Sequence, residues 1–160
     1  MVPRPTVANH EICHVSPVPA GVHGRWSGVR PGVGERRAGA PLRFVMSGGD
    51  GFDGQLLVFD PPEVMEFTWG TDRLRIELRP DGASTVLILT DTFDELGKAA
   101  RDGAGWHECL DRLVAELDGT PQRPMGDLWT EVHPRYVTHL GPDAATIGPP
   151  PGNDPRGANA

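Results

Sequence analysis

Apolar and polar positions along this chain fall into three regimes. Between Pro41 and Phe93 short runs alternate with a period of two, and Leu42 to Met46, Gln55 to Asp60, Val64 to Trp69, Arg73 to Arg79 and Thr85 to Phe93 read as strands. The fourth run is the cleanest. Leu74, Ile76 and Leu78 fall on one face and Arg73, Arg75, Glu77 and Arg79 on the other, which predicts one buried and one wetted side. Gly48-Gly49-Asp50-Gly51, Asp60-Pro61-Pro62, Gly70-Thr71-Asp72 and Pro80-Asp81-Gly82 separate the runs with residues that favour turns. Connections this short cannot hold a parallel crossover, so the strands are expected to form an antiparallel meander.

From Ala104 to Leu117 the period becomes helical. Trp106, Leu110, Leu113, Val114 and Leu117 share a stripe, while His107, Glu108, Asp111 and Arg112 lie mostly elsewhere, and Gly119 is the expected stop. Glu108 stands four residues before Arg112, the order that supports an ion pair on a solvated helix face. A second amphipathic segment is expected around Asp127 to Leu140, interrupted or restarted by Pro134. Residues 1–40 carry five prolines, at 3, 5, 17, 19 and 31, and no apolar repeat, so they are read as irregular. Residues 141–160, with the run Pro149-Pro150-Pro151, are read as a flexible tail, which leaves 41–140 as the expected domain.

Composition narrows the partners. The 160 residues carry a formal net charge of -7, and a phosphate-binding surface needs clustered Lys and Arg, so neither nucleic acid nor an anionic membrane is an expected partner. No window approaches the roughly 18 apolar residues of a membrane span, and the start lacks a basic stretch followed by an apolar one, so a cytoplasmic location is expected. Cys13 and Cys109 stand far apart, and no structural disulfide is expected.

A meander followed by a helix carrying Gly105-Trp106-His107-Glu108-Cys109-Leu110-Asp111-Arg112-Leu113 resembles the bacterial homologues of the heat-shock-chaperone ATPase activator, within the SRPBCC or START-like superfamily. Phe59-Asp60-Pro61-Pro62 leading to Phe67-Thr68-Trp69-Gly70, Leu87 to Thr92, and Trp129 through Tyr136 to Gly148-Pro149-Pro150 fit the same pattern. The resemblance implies an α+β helix-grip fold, a curved antiparallel sheet wrapped around a long C-terminal helix. It also implies an apolar small-molecule ligand held between sheet and helix. Phe44, Phe67, Trp69, Ile76, Leu89, Trp106, Leu110 and Leu113 are the expected ligand-binding residues. The family name adds a chaperone as an alternative partner. A polyketide cyclase-like enzyme is a further alternative, for which only His107, Asp91 and Glu66 offer acid or base groups, and no catalytic residue is assigned. The family's usual first strand and pair of short helices have no matching pattern in residues 1–40. A sheet lacking that strand exposes an edge, for which a homodimer is the natural remedy.

Three local motifs read better as ordinary structure than as sites, and neither a metal nor a cofactor is expected. His10-Glu11-Ile12-Cys13-His14 satisfies the H-E-x-x-H zinc pattern, but that chemistry needs a stable helix and a further ligand, and this pentapeptide sits among prolines. Gly48 to Gly54, with Asp50 and Asp53, matches neither calcium-loop nor phosphate-loop spacing and reads as a flexible hairpin connection. Cys109 reads as a small buried hydrophobe. Metal analysis of protein purified in a weak chelator is expected to find zinc far below one equivalent; one equivalent, lost when His10 and His14 are both replaced, would restore the zinc reading.

Overall fold

The computed structural model describes residues 10–16 by their backbone, and residues 36–45, 51–82 and 84–149 in full. Six strands form one sheet: β1 (His10–Ser16), β2 (Pro41–Val45), β3 (Gly51–Asp60), β4 (Val64–Trp69), β5 (Asp72–Asp81) and β6 (Ser84–Thr92). Their spatial order is β1-β6-β5-β4-β3-β2, and β2 to β6 run as the antiparallel meander that the short turns dictate. After a single 3-10 turn at Leu96–Lys98 come the helices α1 (Ala99–Asp118) and α2 (Asp127–Leu140), then a second 3-10 turn at Pro142–Ala145. The chain divides into two compact units, one spanning residues 11–93 and the other including residues 94–160. No helix among the described residues is long and apolar enough to cross a membrane.

Register decides what the sheet's two faces carry. Phe44 stands opposite Phe52, Leu56 opposite Phe67, Phe67 opposite Leu74, Met65 opposite Ile76, Ile76 opposite Leu89 and Leu78 opposite Leu87. Directly paired residues point the same way, so these side chains share one face. Phe44, Leu56, Phe67, Leu74, Ile76, Leu87 and Leu89 on it are all buried. The opposite face carries a ladder of charge: Arg73 and Arg75 reach Glu66 at 3.3 and 2.9 Å, and Arg75 and Arg79 each reach Glu77 at 3.5 Å. The hydrogen bond to Glu66 is the main reason the Arg75 guanidinium is held above its ordinary pKa. Ion pairs this exposed contribute about 0–1 kcal/mol each, so the ladder fixes which face is wet rather than how stable the sheet is.

Several expectations are corrected. Residues 10–16, placed in an irregular region, form an edge strand beside β6. Pairing along the backbone of β6 supplies what their weak side-chain alternation does not announce, and it removes the helix an H-E-x-x-H zinc site requires. Residues 51–54, expected in a flexible connection, already belong to β3, with Phe52 and Gly54 paired to Phe44 and Leu42. α1 starts at Ala99, five residues before the apolar stripe becomes visible. α2 runs through Pro134 without a break. Pro134 and Thr130, whose carbonyl loses its helical donor, are both exposed, so the missing bond leaves no buried orphan. Part of the expected tail is docked: Ala144 is fully buried and the Ile147 amide donates to the Gly97 carbonyl at 3.0 Å.

Gly54 shows how tightly the sheet face is built. A Cβ at this position would lie 2.7 Å from Cε2 of Phe44 and 2.6 Å from the Thr68 carbonyl oxygen. Thr68 cannot withdraw freely, because its hydroxyl accepts the Gln55 amide at 2.9 Å. Gly54→Ala is therefore expected to cost about 1–3 kcal/mol through overpacking. Urea unfolding measures this, and an unchanged midpoint would show that the Phe44 ring has room to move.

Candidate apolar site and its surroundings

On the sheet unit the candidate site begins with an aromatic cluster. The Phe44 ring lies 5.0 Å from Phe52, 5.6 Å from Phe67 and 4.7 Å from Trp69, the last in an edge-on arrangement, and Phe52 meets Trp69 edge-on at 4.8 Å. Such tilted and edge-on contacts suit the ring quadrupoles and add roughly 0.5–1.5 kcal/mol per pair beyond burial. The cluster exists because β2, β3 and β4 bring aromatic residues to neighbouring register positions on one face. Leu74, Ile76, Leu78, Leu87 and Leu89 continue that face across β5 and β6 with aliphatic side chains.

Two carboxylates interrupt this apolar surface. Asp72 pairs in register with Trp69, and Asp91 with Leu74, which sets both acids on the apolar side. Both are buried, and an oxygen of one lies within 4.8 Å of an oxygen of the other. The Thr71 hydroxyl donates to Asp72 Oδ1 at 3.3 Å.

Of the residues expected from sequence, Phe44, Phe67, Ile76 and Leu89 are buried on this face, and Trp69 is half-buried there. Phe44, Phe67 and Trp69 form one cluster, and Ile76 pairs with Leu89. Trp106, Leu110 and Leu113 belong to α1, where Leu110 is buried and the other two are half-buried. Sequence reasoning missed Phe52, hidden among glycines, although it shares the parity of Leu56. It also missed Asp72, which shares the parity of Leu74. Of the groups a cyclase would need, Glu66 lies on the charged face, held by Arg73 and Arg75.

In the helical unit the polar residues of α1 serve its junction with α2. Glu108, expected on a solvated face with Arg112, is buried, and its Oε1 accepts the backbone amide of Gly126, the residue that caps α2. A carboxylate there meets both an orphan amide and the positive end of the helix dipole. Arg112 turns instead to the Arg123 carbonyl at 2.7 Å. The Trp129 indole donates to the Arg101 carbonyl at 3.1 Å, and Ala104, Leu128 and Val132 form a buried cluster against which Trp129 and Tyr136 pack. Gly103 permits this approach, since a Cβ there would stand 2.9 Å from the Tyr136 ring. His107 Nδ1 and the Tyr136 hydroxyl are 3.2 Å apart, and burial pushes the phenol's pKa up, so it stays protonated. Cys109 is exposed rather than buried, because it lies on the side of α1 away from Ala104 and Leu110.

His133 stacks on Trp129 with ring centres 4.4 Å apart and planes 15° from parallel, and its Nε2 is buried with no hydrogen-bond partner. Burial lowers its pKa below the ordinary 6.5. Stacking on an indole favours the imidazolium by about 0.5–1 kcal/mol at exposed sites, whereas leaving its buried N–H without an acceptor costs about 1–3 kcal/mol, so burial prevails.

Two predictions follow from this junction. Replacing Glu108 with Ala is expected to cost about 1–3 kcal/mol by stranding the Gly126 amide, whereas Glu108→Gln, which keeps an acceptor, recovers much of that loss in urea unfolding. Equal losses would assign the effect to the carboxylate's charge at the start of α2 rather than to an acceptor for the Gly126 amide. For His133, the unfolded chain takes up the proton first as pH falls, so the stabilisation is complete above about pH 6.5 and is lost as pH drops below it. Unfolding curves between pH 7.5 and 5 should show this decline, and His133→Phe should flatten it; an identical slope in the variant would remove His133 from the account.

The comparisons with known proteins come down on the fold. The profile of the family described as "Activator of Hsp90 ATPase homolog 1-like protein" matches residues 21–118. No curated protein matches the sequence. Among solved structures, the protein encoded by gene BPP1335 of Bordetella parapertussis is similar at TM-score 0.62 and 22% identity, over 85% of this chain and 88% of that one. CalU16 from Micromonospora echinospora is similar at TM-score 0.59 and 21% identity, over 81% and 85%. A conserved protein of unknown function from Enterococcus faecalis, EF2215, is similar at TM-score 0.61 and 16% identity, over 82% of each chain.

Proposed function

We propose that this chain, which belongs to the family of Activator of Hsp90 ATPase homolog 1-like proteins within the SRPBCC or START-like superfamily, is a noncatalytic module that binds an apolar small molecule on the apolar face of its sheet. The observation that carries the reading is the breadth of that face, which runs from the rings of Phe44, Phe52, Phe67 and Trp69 to the aliphatic row of Ile76 and Leu89 and is interrupted by Asp72 and Asp91. Apolar walls with few polar groups are the common form of small-molecule sites. A catalytic module would instead bring titratable groups together around a reacting atom. Glu66, Arg73, Arg75, Glu77 and Arg79 are engaged with each other on the opposite face, and the apolar face carries only the two buried carboxylates Asp72 and Asp91 among the described charged groups of β4, β5 and β6.

A second reading, contact with a chaperone ATPase, is favoured by the family's description. The two readings differ in what they require of the sheet face. A ligand must displace or intercalate among its side chains, whereas a protein partner needs only an outer surface.

Fluorescence titration with 1-anilinonaphthalene-8-sulfonate, competed by a long-chain alcohol, tests the first reading. Saturable binding is expected, accompanied by a change in tryptophan emission. Ile76→Phe, which adds volume to the face, is expected to weaken binding about tenfold, equivalent to ~1.4 kcal/mol, with circular dichroism and cooperative unfolding retained. Absence of saturable binding to the folded protein, or equal affinity in the variant, would overturn the proposal. A rise in a purified chaperone's ATPase rate that Ile76→Phe leaves intact would put the second reading ahead.

A further inference from the structure

We draw no further inference here: the strongest candidate, the pair of buried carboxylates Asp72 and Asp91 on the apolar face of strands β5 and β6, is an acidic cluster with no second observation in the structure that points to a cation or any other ligand.

Discussion

The period of two in an antiparallel ladder is the constraint on which the sheet unit depends. Once Phe67 stands opposite Leu74 and Leu74 opposite Asp91, every second residue of three strands is committed to one side. A slip of one position would carry Leu74, Ile76 and Leu89 to the wet face and set Arg73, Arg75 and Glu77 against the apolar one. The ladder of arginine and glutamate side chains makes that slip costly from the other direction, since charges without solvent or partners are far more expensive than apolar groups in water. Fidelity of register thus comes from both faces at once. The turns at Gly70 and Gly82, where φ is 61° and 59°, hold the strands in phase without a steric penalty.

The helical unit is organised differently, around backbone groups that need partners. A helix that starts at Asp127 leaves amides open at its first turn, and a buried carboxylate from α1 answers one of them. Arg112, Gln122 and Trp129 settle further main-chain groups in the same junction. Apolar packing then has little to cover: Ala104, Leu128 and Val132 are small or medium side chains, and Gly103 offers none at all. Close helix approach and polar anchoring are two aspects of one arrangement, because small residues bring the helices near enough for side chains of one to reach the backbone of the other.

What could be read from the sequence follows the same division. The strands β4, β5 and β6 were legible because alternation and turn residues agree there, and the apolar face was legible with them. Phe52 was not, since glycines on both sides imitate a loop, and only its pairing with Phe44 reveals the strand. The pentapeptide His10 to His14 carries no alternation, and its strand follows from a neighbour distant in sequence. Glu108 was misread because helical spacing locates a residue on a face but says nothing of the loop that folds back over it. The same holds for Pro134: its position in the pattern does not tell whether the carbonyl that loses its donor, here that of exposed Thr130, lies where water can reach it. Family membership was legible in the α1 motif and its surroundings, yet the role of the apolar face was not, because one scaffold hosts many functions.

The second 3-10 turn bears on where this chain can be cut or extended. Ala144 has no exposed surface, and Thr146 and Ile147 lie so close to Gly97 that no side chain could grow there. Residues 144–147 are thus a working part of the helical unit. Shortening the chain at Gly141 would uncover Gly97 and the start of α1, and the damage would register as an insoluble or protease-sensitive product. An affinity handle or fluorescent fusion therefore has to leave Ala144 to Ile147 in place, because the clasp over Gly97 is made there.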